Sequence, residues 1–284
     1  MLHEQADCPV EMACALVDLP RSTYYHRPSR RDEGEVVAAI EQIAAETHTS
    51  MYGTRRMKGE LGRAPYELKV SRKRVQRIMA LKGLLRPVKR RTCRTTNSEH
   101  PYPRYPNLVK GLEIIRPDHV WASDITYIRM GQGFIYLAVV LDLFTRCVRG
   151  WCLSRSLDQE LTLTALRQAL NGGAPEIHHS DQGSQYAAHA YVDLLRAHQV
   201  EPSMAAVGKA EENGYAERLM RTIKEEEVDL SEYWSFTDVQ VQIGRFIEKV
   251  YMTERIHSRL GYLPPVEFED AWWVAQQHAA EASP

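Results

Sequence analysis

The chain has 284 residues, 44% of them hydrophobic, and a formal net charge of −1. That is enough apolar material for a buried core and enough length for two or three units, and no apolar run reaches the length of a membrane span. The N-terminus lacks a secretory pattern, and the five cysteines (Cys8, Cys14, Cys93, Cys147, Cys152) are scattered without a C-x-x-C pair, which argues against a disulfide framework or zinc knuckle and fits a reducing cytoplasm. The small net charge conceals an asymmetry. Residues 1–116 carry 22 Lys+Arg against 13 Asp+Glu, whereas the remainder carries 14 against 24. A basic front on an acidic back suggests a polyanion-binding module joined to a carboxylate-rich one.

In chain order, residues 9–27 predict two short helices around a turn, with Pro20 between them and Pro28 closing the unit. EVVAAIEQIAAE (35–46) has apolar residues at helical spacing, and YGTRRMKGEL (52–61) predicts a second helix beginning after Gly53. Ser71 is the expected N-cap of a third, SRKRVQRIMALKG, which Gly83 can end. Its Val75, Ile78 and Met79 form one face, and Arg72, Lys73, Arg74 and Arg77 spread over the other. Between residues 50 and 98 there are fifteen Lys+Arg and two acidic residues, Glu60 and Glu67. A charge run is commonly a solvated face, but this excess within a helix–turn–helix pattern points to phosphate contacts or major-groove docking. Arg55 and Arg56 belong to the same basic set, and RPVKRRTCR (86–94) extends it.

Residues 95–117 hold four prolines and little periodicity, and read as a linker. HVWASDITYI (119–128), FIYLAVVLDLF (134–144) and RCVRGWCLS (146–154) predict three successive strands, followed by a helix over 157–170. EIHHS (176–180) is a short strand delivering Asp181, and a helix around 187–199 and a short segment lead to GKAEENGYAERLMRTIKEE (208–226). Read as one helix, that stretch buries Ala216, Leu219, Met220 and Ile223 and presents Glu217, Arg221 and Lys224 on a second face. FTDVQVQIGRFIEKVYMTE (236–254) predicts a long amphipathic helix, with a less regular tail to Pro284. The divisions are thus a helical segment (1–30), a basic helix–turn–helix region (31–94), a linker (95–117), an α/β mixed-sheet core (118–230) and a C-terminal helix and tail packed on it (231–284).

Asp124 and Asp181 on strand-like segments and Glu217 on a helix suggest three carboxylates gathered by the fold. Each has an ordinary alternative: a paired buried aspartate, a turn cap, and an i,i+4 ion pair on a solvated face. Taken together, they suit hard divalent cations, which prefer oxygen ligands and can serve in-line phosphoryl displacement in pairs.

VWASDITYI, HSDQGSQY (179–186), NGYAERLMRTIKEE (213–226) and YMTERIHSRLGYLPPVEFE (251–269) resemble the successive signature blocks of OrfB-type transposases of the insertion-sequence-three family, within the Asp-Asp-Glu, retroviral-integrase-like superfamily. YGTRRMKGEL and SRKRVQRIMALKGL resemble that family's helix–turn–helix segment, and the thirty-five residues between Asp181 and Glu217 match its spacing. The resemblance implies an RNase H-like catalytic core behind an all-α DNA-binding region, with Asp124, Asp181 and Glu217 as the metal-binding triad. It implies two Mg²⁺ ions, with Mn²⁺ as a substitute, and Lys224 gripping the element's end. The implied activity is cleavage at the element's 3′ ends followed by strand transfer. Implied partners are insertion-sequence ends, target DNA, further copies of the chain and the product of a preceding reading frame, in a bacterial cytoplasm at the nucleoid. Glu212 stands where the family more often has Asp, Leu219-Met220 replaces an aromatic pair, and Thr253 and Ile256 replace Asn and Pro. Two other classes stay open at this point: an RNase H-like nuclease that cuts without joining, and a DNA-binding regulator without catalysis.

Overall fold

A computed structural model of the chain describes residues 9–25, 33–86, 101–131, 133–206 and 210–281. The chain divides into two compact units, Met1–Ala38 and Ala39–Pro284. The first contains the two expected short helices, α1 (Val10–Leu16) and α2 (Arg21–Tyr25). Pro28 and most of the 86–94 basic extension lie outside the described residues.

Helix α3 (Gly34–Ala45) leads into the second unit, followed by α4 (Thr54–Leu61) and α5 (Arg72–Leu81). Ser71 caps α5 as expected, its hydroxyl accepting the Arg74 N–H at 3.3 Å. Met57 and Leu61 of α4 and Val75, Ile78 and Met79 of α5 are buried, so the helix pair turns its apolar stripes inward. Residues 101–117 have no regular structure, but they are no free spacer. Val109, Leu112 and Ile114 pack on the main core, Tyr102 and Tyr105 pack on a second cluster, and the Leu108 N–H donates to Ser203 Oγ at 2.9 Å.

The core is a five-stranded mixed sheet of β1 (Val120–Met130), β2 (Gly133–Asp142), β3 (Val148–Ser154), β4 (Ile177–Ser180) and β5 (Glu201–Met204) in the order β3-β2-β1-β4-β5. The first three strands form the antiparallel meander that their closeness in sequence predicts, and β4 and β5 add in parallel. Parallel addition needs a crossover, and α6 (Gln159–Leu170) supplies the first while α7 (Ser184–Ala187) and α8 (His189–Ala197) supply the second. The helix expected around 187–199 is α8, set off from the short α7 before it by Ala188, whose ψ of 140° leaves the helical region.

Alternation along the strands divides the core. Val120, Ala122, Leu137, Val139 and Leu141 face Ala216, Leu219, Met220 and Ile223 of α9 (Gly214–Glu226), with Val239 and Ile243 behind them. Trp121, Ala138 and Val140 face Leu161, Ala165 and Ala169 of α6 on the other side. The close seat of α6 requires Gly150 on β3: a Cβ there would lie 2.2 Å from the Ala165 carbonyl oxygen.

Three expectations are corrected. The helix carrying Glu217 begins at Gly214 rather than 208, preceded by a single tight turn over Ala210–Asn213, because Asn213 is drawn aside by a bond described below. The 236–254 segment is α-helical over Phe236–Arg245 (α10) and then widens, closing with an i→i+5 bond from the Arg255 N–H to the Val250 carbonyl at 2.7 Å. The tail is mostly one long helix, α11 (Pro265–Glu281), started by a proline at its first position and a 3.0 Å bond from the Phe268 N–H to the Pro264 carbonyl. Much of its surface stays exposed, including Trp273 and Val274, which blurs the periodic signal that would have revealed it. Phe268 and Trp272 pack on Phe144, and Glu269 accepts two bonds from Arg149 of β3, at 3.0 and 2.6 Å, so the tail does rest on the sheet.

Candidate active site

Strand register brings two of the carboxylates level. β1 and β4 pair Val120 with Ile177, Trp121 with His178 and Ala122 with His179, and there the pairing ends. Two residues further along stand Asp124, still on β1, and Asp181, just past the end of β4, offset equally from the last pair of Ala122 and His179. The crevice where parallel strands stop pairing is the usual place for a functional site in such sheets. Beyond Ala122 the β4-side edge of β1 is bare, which leaves room for a third element.

That element is α9. Asn213, buried just before its first turn, donates from Nδ2 to the Ser123 carbonyl at 3.1 Å and so pins the helix start beside Asp124. Glu212 holds the preceding loop, its Oε2 accepting from Asn107 Nδ2 at 2.7 Å and from the Ala206 N–H at 2.9 Å. Glu217 follows one turn into the helix, with its apolar neighbours Ala216, Leu219 and Met220 buried in the core. Glu212 and Asn213 read in the sequence as the acid-Asn pair that precedes the glutamate in the resembled family, with Glu for the commoner Asp; their bonds are visible only in the fold.

Asp124 feels all of this. Loss of hydration pushes its carboxyl up to about 8, helped by the charge of Asp181 and, more weakly, that of Glu217; the Ile125 N–H, 2.9 Å from Oδ1, and Lys224 pull the other way. Although part of the residue reaches solvent, its carboxyl is enclosed, and the direction agrees with the geometry. One oxygen of Asp181 caps its own turn, accepting the Gly183 N–H at 2.9 Å. Among the described residues no three Asp, Glu, His or Cys side chains are close enough to cage one ion. The three carboxylates sense one another as charges without forming a closed cluster. Hard oxygen donors, one of them dehydrated and further raised by the charges of the other two, are the donor type that suits a divalent cation.

Behind the site lies a neutral polar layer. Ser123 Oγ and Tyr191 OH both reach His178 Nε2, at 2.8 and 3.0 Å, and burial, with His179 adding to it, pushes His178 down to about 3. Ser203 Oγ, which accepts from Leu108, is free to donate to His179 Nδ1 at 2.9 Å. Both histidines are buried in β4, each within hydrogen-bond distance of a neighbouring hydroxyl.

The cations sort into three groups. Lys224, two turns beyond Glu217, lies with its Nζ 4.2 Å from the centre of the Tyr127 ring on β1. Burial lowers its pKa, against the charges of Asp124 and Asp229. Of the glutamates Glu225, Glu226 and Glu227 that offer an alternative ion pair, Glu226 is held by two arginines and Glu227 by the Ser231 and Tyr233 hydroxyls. Tyr127 was not anticipated, though its place three residues after Asp124 on the same strand is visible in the sequence. Arg221 is half-buried between Glu217 and Lys224. On the basic helices, Arg55, Arg72, Lys73 and Arg77 are exposed and Arg74 is half-buried. Arg56 departs from the expected DNA-facing set. Its guanidinium turns inward, donating to Glu226 Oε1 at 3.0 Å and to the Met51 carbonyl at 3.2 Å, because it sits on the side of α4 that faces the core.

A mixed five-stranded sheet of this order, with acidic residues at the β1/β4 crevice and on the following helix, defines an integrase-type catalytic core, here carrying a helical DNA-binding region in front. Comparisons with known proteins agree. Residues 115–210 and 198–265 match two "Integrase core domain" families, and residues 30–92 match an "HTH-like domain" family. The transposase for insertion sequence element IS629 of Shigella sonnei is 30% identical over 275 residues, covering 92% of each chain. Transposase InsF for insertion sequence IS3A of Escherichia coli K12 is 30% identical over 277 residues, covering 94% of this chain and 96% of its own. The HTLV-2 integrase catalytic core domain, solved in complex with magnesium, aligns with 55% of this chain and 98% of its own at 17% identity and a TM-score of 0.45. The chain belongs to the family of transposases of IS3-type insertion sequences, DNA-binding polynucleotidyl transferases that serve transposition and DNA integration. Among the described residues no helix is long and apolar enough to cross a membrane.

The raised Asp124 pKa has a measurable consequence. A carboxyl at about 8 in the folded chain against 3.8 ordinarily keeps a proton that the unfolded chain gives up, so its contribution to stability is complete below about pH 4 and is lost as pH rises through about 8. With divalent ions chelated at about pH 8, Asp124→Asn should melt higher than wild type, by an amount corresponding to a few kcal/mol at most. A variant that melts lower than wild type under chelation would contradict the raised Asp124 pKa.

Proposed function

We propose that Asp124, Asp181 and Glu217 are the acidic triad of an Asp-Asp-Glu transposase that cleaves at the 3′ ends of an insertion sequence and joins them to target DNA. The observation that carries this reading is the strand register that levels Asp124 with Asp181, together with the like charge of Glu217 that helps raise the pKa of the Asp124 carboxyl. The three side chains would hold Mg²⁺, as two ions, with Mn²⁺ able to replace it. Bound divalent cations there supply Lewis-acid charge for in-line displacement at phosphorus.

In the first step water attacks the phosphodiester at the element boundary and frees the element's 3′-hydroxyl, leaving the phosphate on the flanking strand. In the second, that hydroxyl attacks a target phosphodiester and the target's own 3′-hydroxyl leaves. No protein–DNA covalent bond is needed. Lys224, held against Tyr127 beside Asp124, would bind a phosphate of the element's end as a point charge, with Arg221 next to it. Arg55, Arg72, Lys73, Arg74 and Arg77 would hold the duplex further in through its phosphates. Assembly of several copies on DNA, and work alongside a preceding-frame product, belong to the same reading.

The test is a strand-transfer assay with labelled, pre-cut ends, a target plasmid and Mg²⁺. Joined product supports the transposase; cutting of uncut ends without any joining would favour a nuclease, and no metal-dependent chemistry would favour a regulator. The basic helix has its own check. Duplex affinity should fall steeply with salt, with a log–log slope that shrinks by about one for each phosphate-contacting cation removed from Arg72, Lys73 and Arg77. A slope unchanged in the triple alanine variant would remove α5 from the interface.

A further inference from the structure

The stretch 251–269 is one of the signature blocks, yet the chemistry above gives it no role. It contains Arg255, which is nearly enclosed. Arg255 Nε donates to Glu226 Oε2 at 2.6 Å and Nη2 donates to Oε1 at 2.9 Å, a two-pronged grip on a residue in the last turn of α9. Arg56 of α4 donates to the same Oε1 at 3.0 Å. The side chains of Arg255 and Glu226 are each 6% exposed and that of Arg56 19%. One buried carboxylate thus joins the catalytic helix, the C-terminal block and the helix–turn–helix region.

Neighbouring contacts run along the same seam. The Arg56 guanidinium lies 4.7 Å from the Tyr52 ring centre, and Tyr52 OH accepts the Ile256 N–H at 3.2 Å. Arg63 donates to the Tyr262 carbonyl at 2.8 Å and to Glu267 Oε2 at 2.6 Å. Gly59 permits the approach, since a Cβ there would stand 2.3 Å from the Tyr262 ring. Helix α4 is therefore seated on the C-terminal block, and α5 is packed on α4.

Stability alone explains this arrangement poorly. One arginine would neutralise Glu226; the second leaves a net positive charge in a desolvated place, and buried ion clusters contribute little net stability compared with apolar packing. His257, beside Arg255 Nη1 at 3.1 Å, adds no further positive charge, because burial and then the surrounding arginines hold that ring neutral, at about 2. What a forked, doubly bonded carboxylate provides is orientation. Arg56 also withdraws from the DNA-facing set to take part, which costs the basic surface one cation.

We infer that Glu226, Arg255 and Arg56 are positioning residues that fix the helix bearing Glu217 and Lys224 to the basic helix pair, so that duplex held by α5 reaches the carboxylates in a set register. The inference rests on the transposase reading and adds an internal coupling between its two DNA-handling parts.

Arg56→Gln is the informative variant because it leaves the Arg255–Glu226 pair in place. The full chain, Arg56→Gln and Arg56→Lys are compared in joining pre-cut ends on a duplex of about three helical turns and on one of about one turn, at sub-saturating DNA. Wild type should join the long end about tenfold faster, since that end alone offers phosphates to α5. In Arg56→Gln that advantage should vanish while the short-end rate and the long-duplex affinity, measured by gel shift in Ca²⁺, stay within about twofold; Arg56→Lys, which keeps the charge, should recover part of the advantage. Amide exchange across Gly214–Glu226 should quicken about tenfold in Arg56→Gln. A full long-end advantage in Arg56→Gln, or unchanged exchange in that helix, overturns the positioning role. A wild-type chain that joins neither duplex defeats the transposase reading instead, and the exchange measurement then decides the coupling by itself.

Discussion

Replacing Glu217 with Gln should abolish both end cleavage and strand joining, by at least about a thousandfold, while leaving the melting temperature and duplex affinity near wild type. Loss of a group at the reacting centre has effects of that size or larger. The substitution keeps the shape of the side chain and removes only the charge that a cation needs. The helix is held by its apolar stripe of Ala216, Leu219, Met220 and Ile223 and by the Asn213 bond to β1, none of which involves the carboxylate. Lys224→Ala should show the complementary pattern. Its ammonium can grip a phosphate but cannot ligate a metal, so engagement of the element's end weakens and Mg²⁺ affinity changes little. Gel shift in Ca²⁺ and product formation in Mg²⁺ on one labelled duplex measure both. Equal loss of DNA binding in the two variants would mean that this face of the helix is structural and that its division into catalytic and DNA-holding residues is wrong.

The second large effect is on stability. Arg255→Ala should destabilise the chain by roughly 3–5 kcal/mol, because it removes two charge-assisted hydrogen bonds from a nearly enclosed carboxylate whose charge Arg56 still offsets. For a chain of this size that corresponds to a fall of roughly 6–20 °C in melting temperature. Arg63→Ala, which breaks a more exposed pair with Glu267, should cost about 1 kcal/mol or less from the ion pair itself. Burial would raise the pKa of Glu226, but Arg255 and then Arg56 hold it below the ordinary 4.5. The stability it brings is therefore present above about pH 4.5 and lost as pH falls below that, and the Arg255→Ala variant should lose part of this acid sensitivity. An Arg255→Ala melting curve superimposable on wild type would show the cluster to be slack.

Much of this was written in local pattern. Short apolar runs specify β1, β2 and β3; the helical stripe of 214–226 specifies which side of α9 is buried; Ser71 specifies where α5 starts. All are legible because burial of one face is imposed residue by residue along a short segment. The weakly amphipathic α11 was not legible, because its long exposed surface gives no period to read.

The sequence by itself determined the identity of the acidic residues, the basic excess between residues 50 and 98 and the family blocks that tie them together. Tertiary structure alone decided which of these meet. Asp124 and Asp181 become neighbours through the β1/β4 register, a pairing between segments more than fifty residues apart that no local rule fixes. Lys224 lies against the Tyr127 ring on β1, a contact between helix and strand that no local pattern specifies. Arg56, indistinguishable from Arg55 in composition, was assigned to the interior by the helix face on which it falls and by an arginine two hundred residues away that shares its carboxylate. Local propensity acts within a few residues, whereas charge pairing and strand register are settled only once the chain has folded back on itself.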